Sequence, residues 1–379
     1  MRLLSMTRIL PCLAVGSAAL FGCSTSNEGN VPLQPPPTVF MSKSSGSGGS
    51  GGGGSVIPSG GANTGDATDV DKVNPSTGCG KPPPAGQEQS IVGSRTGYTE
   101  YHVTQTGANL GTTDPTRAGD RQYFVRLPPD YNPDVPYRVV YVGQGCGALH
   151  AGKTNTYALF DERYGGSEQA VYVGLSVPDN DANPGCYDNN SGEQSQEWEA
   201  FDLIHTQVEG NFCVDNNRVY VAGYSTGGWL SNMWGCYFGG MPDPPRKFSP
   251  KWAIRGHVNV TGSLPPNQPK PCNGPGAGLW IHDSLDTSNR IATNIAALNL
   301  SLESNGCTGN YADGPKEPWA PGEAIPGLAG LCQEYTGCDA ETRRKYPLVF
   351  CTTSGLGHSD QPKNAIPAFT TFFDQLNPQ

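Results

Sequence analysis

Basic charge is scarce in this chain. Lys and Arg total 24 of 379 residues against 34 Asp and Glu, for a formal net charge of -10. No basic cluster offsets that balance, which argues against a nucleic-acid partner held through its phosphates. Long apolar runs are absent too. The one candidate, residues 9–22, is mostly apolar or small and too short to cross a bilayer comfortably. None of the 12 cysteines stand in C-x-x-C spacing, so the chain carries no pattern for a structural zinc site. There is no internal repeat of the kind that builds a solenoid. Histidine is sparse, with 6 residues, which narrows the search for a general base.

Glycine (51) and proline (34) are abundant, which points to a loop-rich fold, a long linker, or both. Arg2 and Arg8 precede the short apolar run, which reads as a signal-peptide core. Leu20-Phe21-Gly22-Cys23 then resembles a bacterial lipobox. That resemblance implies cleavage before Cys23 and lipid attached to it, with Ser24 favouring the outer membrane. The expected location is the cell envelope, lipid-anchored, or the medium by secretion. Residues 23–78 read as a flexible tether: 31–38 is Pro-rich, and 44–55 is only Gly and Ser. The expected organisation is a signal peptide over 1–22, the lipidated cysteine and linker over 23–78, and a catalytic domain over 79–379. Setting Cys12 and Cys23 aside leaves ten cysteines in that domain, an even number consistent with disulfides in an exported protein. Their pairing is not readable from spacing.

Within the domain, residues 122–127, 138–143 and 170–177 have strand patterns. Residues 197–212 place Phe201, Ile204, Val208 and Phe212 at helical spacing. A strand over 218–222 leads into a helix over 226–236. Further strands are expected at 252–260, 278–282 and 346–352, and helices at 289–303 and 366–376. Strands alternating with helices predict an α/β fold with a mostly parallel sheet and helices on both faces; the first strands form an antiparallel start. The Asp/Asn-rich loop over 179–193 departs from a calcium loop at Pro184 and Asn190 and reads as a solvated loop. Asn189, Asn259 and Asn299 begin glycosylation sequons that read as chance matches.

The chemistry centres on Gly223-Tyr224-Ser225-Thr226-Gly227, between the predicted strand and helix. Gly-x-Ser-x-Gly in that setting is the nucleophile elbow: a sharp, strained turn that exposes the serine hydroxyl. A serine needs a base, a group that orients the base, and donors for the oxyanion. In the order Ser, acid, His, the partners lie downstream. His257 falls inside a predicted strand and His282 at a strand end, where packed histidines are common. His358 sits in the Gly-rich loop Ser354-Gly355-Leu356-Gly357-His358, where a base is expected. Asp283 and Asp286 both follow a strand and both remain candidate acids; Asp360 comes after the base. The loop Gly143-Gln144-Gly145-Cys146-Gly147 offers a second oxyanion donor, so the backbone N–H groups of Cys146 and Thr226 are the expected hole. Trp229, Trp280 and Tyr187 are candidate pocket walls or packed aromatics.

Several of these segments together resemble the secreted serine esterases grouped as polyhydroxybutyrate depolymerases and feruloyl esterases. They are Tyr123 to Tyr131 (Tyr-Phe-Val-Arg-Leu-Pro-Pro-Asp-Tyr), Gly145-Cys146-Gly147, Asp215 to Gly228, Ile281 to Asp286 and Gly355 to His358. The resemblance runs from Cys79 to the end. It implies an α/β-hydrolase fold with Ser225 as nucleophile, Asp286 as acid, His358 as base, and the backbone at Cys146 in the oxyanion hole. It selects Asp286 over Asp283, because the family pattern His-Gly-x-x-Asp maps onto His282 to Asp286. Gln144 stands where the family has His, and Asp283 where it has Gly. The expected activity is hydrolysis of feruloyl or acetyl esters on plant polysaccharide, with a polyester depolymerase as the alternative. A non-catalytic binding protein on the same fold is the reading from another class. No metal or organic cofactor is expected. The expected partners are a polymeric or oligomeric ester and a membrane reached through the lipid; the chain is expected to be a monomer.

Overall fold

The apolar runs become strands of one sheet. The computed structural model describes residues 70–88, 98–105, 119–146, 170–177, 186–189, 195–240, 253–266, 268 and 272–376. All of them lie in the second of the chain's two units, residues 61–379. The signal segment, Cys23, residues 24–69 of the linker and most of the 179–193 loop lie outside the described residues. In chain order the elements are β1 (Gln87–Glu88), β2 (Tyr98–Gln105), β3 (Gly119–Arg126), β4 (Tyr137–Gly143), β5 (Ala170–Leu175), α1 (Gln196–Asn211) and β6 (Val214–Tyr224). They continue with α2 (Thr226–Tyr237), β7 (Ile254–Val260), β8 (Ala277–Asp283), α3 (Ile291–Ser304), β9 (Lys316–Pro318), β10 (Cys332–Tyr335), α4 (Ala340–Lys345), β11 (Leu348–Thr353) and α5 (Gln361–Gln375).

The strand order is β1-β2-β3-β5-β4-β6-β7-β8-β11-β10-β9. From β5 to β11 every neighbouring pair is parallel. The strands before β5 and after β11 in that order pair antiparallel. This is the mostly parallel sheet with an antiparallel start that the sequence predicts. Strands β4, β5, β7 and β8 are buried along their whole length, as expected of a sheet covered on both faces.

Alternation along each strand sorts the core into two layers. Val139, Tyr141, Val219 and Val221 face Phe201, Ile204 and Val208 of α1 and Leu230, Met233 and Trp234 of α2. The residues between them, Val140, Val142, Tyr220 and Ala222, face Ala368, Phe369, Phe372 and Phe373 of α5. Each fully buried side chain of this kind contributes roughly 1.5–3 kcal/mol. Helix α1 starts where Ser195 caps it: the Ser195 hydroxyl accepts from the Glu197 N–H at 3.2 Å.

Five disulfides join Cys79–Cys213, Cys146–Cys186, Cys236–Cys272, Cys307–Cys338 and Cys332–Cys351. They use all ten cysteines of the domain and match an oxidising compartment.

Residues 71–78, at the end of the predicted linker, are hydrogen-bonded to the folded domain. The Ser76 hydroxyl donates to the Phe212 carbonyl at 2.7 Å and accepts from the Val214 N–H at 3.0 Å. The Asn74 N–H donates to Asp215 Oδ1 at 2.8 Å, and Arg344 pairs with Asp71 at 2.6 Å. The polar composition of 71–78 hides this docking, because hydrogen bonds rather than apolar burial hold the segment.

Two core histidines give the fold a pH dependence. His205, whose Nδ1 lies 2.6 Å from the Tyr141 hydroxyl, and His257, edge-on to Trp280, are buried. Burial lowers their pKa values from 6.5 to about 3 and about 4. The unfolded chain therefore binds more protons between those values and 6.5. Stability is fully present above pH 6.5 and is lost as pH falls towards the folded values. For His257 the loss is on the order of 3 kcal/mol. Urea midpoints are expected to fall between pH 7 and pH ~4.5, less steeply in His257→Gln. An unchanged slope in that variant would show that His257 does not carry the effect.

Candidate active site

Strand β6 ends at Tyr224 and α2 begins at Thr226, so Ser225 is the only residue available for the turn. Its backbone has φ 54 and ψ -117, a region that L-residues rarely enter. The flanking glycines are a steric requirement of that turn. A Cβ on Gly223 would lie 1.9 Å from the Gly227 carbonyl oxygen, and one on Gly227 would lie 2.3 Å from the carbonyl carbon of Gly143. The strain is held from below, where the Ser225 N–H donates to the Val260 carbonyl at 2.9 Å.

The loops after β8 and β11 reach this serine. Ser225 Oγ lies 2.9 Å from His358 Nε2, and His358 Nδ1 lies 2.8 Å from Asp286 Oδ2. With the proton on Nδ1, His358 donates to the carboxylate, and Nε2 is free to accept from the serine hydroxyl. The other carboxylate oxygen, Asp286 Oδ1, accepts from the N–H groups of Ser288 (2.8 Å) and Asn289 (3.0 Å). Its side chain is fully buried, while that of His358 is 19% exposed. The Tyr224 hydroxyl donates to the His358 carbonyl at 3.1 Å, and the two rings lie 5.3 Å apart.

The first N–H groups of α2 have no partner within the helix. One of them, on Gly227, donates to the Gln144 carbonyl at 2.8 Å, which seats the 143–146 loop against the helix start. Thr226 and Cys146 flank that contact. The segment 186–189 grips both. Cys186 is disulfide-bonded to Cys146. The Tyr187 hydroxyl accepts from the Gln144 N–H at 3.3 Å, and Asn189 Nδ2 donates to both Oγ1 and the carbonyl of Thr226 at 2.9 Å. Ser195 and Glu197 of the α1 start hold Asp188 in turn, at 2.5 and 3.1 Å. Burial raises the Glu197 pKa, against the opposing pull of its buried partner Arg121. Gly147 lies outside the described residues.

The other histidines and acids fall elsewhere. His282 is buried beside Asp286: Nε2 lies 3.6 Å from Asp286 Oδ2 and 3.0 Å from the Asn289 carbonyl. Its Nδ1 faces Asn294 Nδ2 at 3.0 Å, which assigns the proton to Nε2. Burial lowers its pKa, so it stays neutral. Asn294 Nδ2 also donates to Asn259 at 2.9 Å, Asn259 Nδ2 donates to the Gly228 carbonyl at 2.6 Å, and Asn232 Nδ2 donates to Asn294 at 3.2 Å. This asparagine network ties His282 of β8 to α2. No period in the sequence marks it, although Asn232, Asn259 and Asn294 all lie within predicted elements. Asn259, which begins a sequon, is fully buried. Trp280 and Tyr187 are buried packing residues, while Trp229 stays half-buried on the first turn of α2, its Nε1 donating to Asn289 at 3.3 Å. Among the described residues no group of three His, Cys, Asp or Glu is placed to hold a metal, and no helix is long and apolar enough to cross a membrane.

Sheet order and elbow define an α/β-hydrolase fold. No family model matches the chain. It is 27% identical over 278 residues to feruloyl esterase D of Neurospora crassa, covering 70% of this chain and 77% of that protein. It is 24% identical to feruloyl esterase C of Emericella nidulans, covering 66% and 81%. Among solved structures, an acetyl xylan esterase from Aspergillus awamori superposes with a TM-score of 0.48 at 14% identity, covering 73% of this chain and 99% of that one. The chain is an esterase of α/β-hydrolase type, a carboxylic ester hydrolase.

Proposed function

We propose that the chain hydrolyses feruloyl or acetyl esters of plant polysaccharide through Ser225, His358 and Asp286. The observation that carries this reading is the unbroken chain of hydrogen bonds from Ser225 through His358 to Asp286, at 2.9 and 2.8 Å. Ser225 Oγ attacks the ester carbonyl carbon as His358 Nε2 takes the hydroxyl proton. Asp286 holds the imidazole in the required tautomer and stabilises the imidazolium. The oxyanion is met by the N–H groups of Cys146 and Thr226, each worth about 3 kcal/mol in the transition state. The tetrahedral intermediate collapses, His358 returns the proton to the leaving alcohol, and an acyl-serine remains. Water, deprotonated by His358, then releases the acid and restores Ser225.

The substrate class rests on the names of the relatives, two of which are feruloyl esterases. The test is a panel on the full chain: methyl ferulate, acetylated xylan, short p-nitrophenyl esters and polyhydroxybutyrate film. Release of ferulate or acetate is expected. Turnover of the film alone would replace the polysaccharide reading with the polyester one, and ester formation with an added sugar would redirect it to acyl transfer. The lipid anchor at Cys23 is a proposal from the sequence, tested by the mass of the mature N-terminus.

A further inference from the structure

Asp283 is one of the two residues where the sequence departs from the resemblance, and the structure gives its carboxylate a dense set of partners. It closes β8 opposite Thr353, the last residue of β11, so the two strands end level. Beyond this pair one chain leads to Asp286 and the other to His358. The Asp283 side chain is fully buried. Its Oδ1 accepts from the Leu285 N–H at 2.9 Å, on the acid loop. Its Oδ2 accepts from the Thr353 hydroxyl and from the Leu356 N–H, both at 2.9 Å, on the base loop. One carboxylate therefore bridges the two loops, each of its oxygens committed to one of them.

The base loop needs such a bridge. Gly355 and Gly357, on either side of Leu356, have φ of 88 and 60, and a Cβ on either would meet nothing within 4 Å. Two glycines in this short stretch give the chain ahead of His358 little stiffness of its own. The Leu356 N–H that Asp283 holds lies between them, two residues before the base, and the Gly357 N–H also faces the carboxylate. A Ser284 N–H to Thr353 carbonyl bond of 2.9 Å joins the loops at their roots, but the Leu356 bond reaches further out.

We propose that Asp283 is a positioning residue for catalysis: a buried carboxylate that locks the His358 loop to the Asp286 loop and so holds the imidazole in line with Ser225. The proposal rests on the Ser225, His358 and Asp286 reading. Burial works to raise the Asp283 pKa, but the N–H groups of Leu356 and Leu285, the Thr353 hydroxyl and the Gly357 N–H outweigh it and hold the carboxyl below its ordinary value. The group is thus an acceptor for every donor around it. An amide there would turn one acceptor into a donor facing donors.

The test is Asp283→Asn in the full chain, assayed well below its unfolding temperature. Expected are a fall of about tenfold or more in kcat on a short p-nitrophenyl ester, a KM within about twofold, and an equal slowing of fluorophosphonate labelling. Loss of thermal stability alone, with wild-type kcat and labelling rate, would overturn the proposal. Thr353→Val removes a single donor and guards against a variant that does not fold. It is expected to lose several-fold in kcat, and Thr353→Ser, which keeps the hydroxyl, is expected to recover it. Equal activity of the Val and Ser variants would also overturn the proposal. If the wild-type chain itself is not labelled, the serine mechanism fails first, and the role of Asp283 fails with it.

Discussion

Ser225→Ala is expected to lower kcat for ester hydrolysis about a million-fold while leaving the far-UV CD spectrum unchanged. The side chain removed makes one hydrogen bond, to His358 Nε2. The backbone bond that holds the strained turn, Ser225 N–H to the Val260 carbonyl, is untouched. Alanine meets the same φ of 54 as serine, so the turn itself costs nothing new. Labelling by a fluorophosphonate should vanish in the variant and be present in the parent. Residual turnover within a hundredfold of the parent would move the nucleophile elsewhere. Absence of labelling in the parent would favour a binding protein on this fold.

Asp286→Asn carries the second large effect. Asp286 Oδ1 is committed to the Ser288 and Asn289 N–H groups, so the amide oxygen would stay there. The amide nitrogen would then point a donor at His358 Nδ1. The imidazole can answer only by moving its proton to Nε2, the atom that must accept from Ser225. Loss of about 10⁴-fold in kcat is expected, with KM little changed. The contrast with Asp283→Asn is informative, because the two carboxylates lie three residues apart and only one touches the imidazole. If Asp286→Asn lost no more than Asp283→Asn, the assignment of the acid would be wrong.

The elbow was legible because its rule is steric: only glycine fits at positions 223 and 227 when the residue between turns so sharply. The strands were legible because a doubly covered sheet needs unbroken runs such as residues 138–143 and 219–222. Helix α5 begins five residues before the expected 366, because its first turn carries Pro362 rather than an apolar stripe. The choice between Asp283 and Asp286 was not open to residue-level reasoning. Both follow the same strand, and what separates them is that β8 runs on through Asp283, leaving Asp286 to turn back on the loop. The docked segment 71–78, the buried asparagines and the disulfide pairing were equally hidden. Each depends on which distant backbone group a polar atom meets, and hydropathy carries no trace of that.

The segment 186–189 has a consequence for anyone who would retool the enzyme. It is soldered to Cys146, hydrogen-bonded to Thr226 and moored to the start of α1, so the proposed oxyanion donors share one short strip of chain as their reference frame. Substitutions elsewhere that leave Cys186 and Asn189 in place therefore leave both moorings of the proposed oxyanion donors intact.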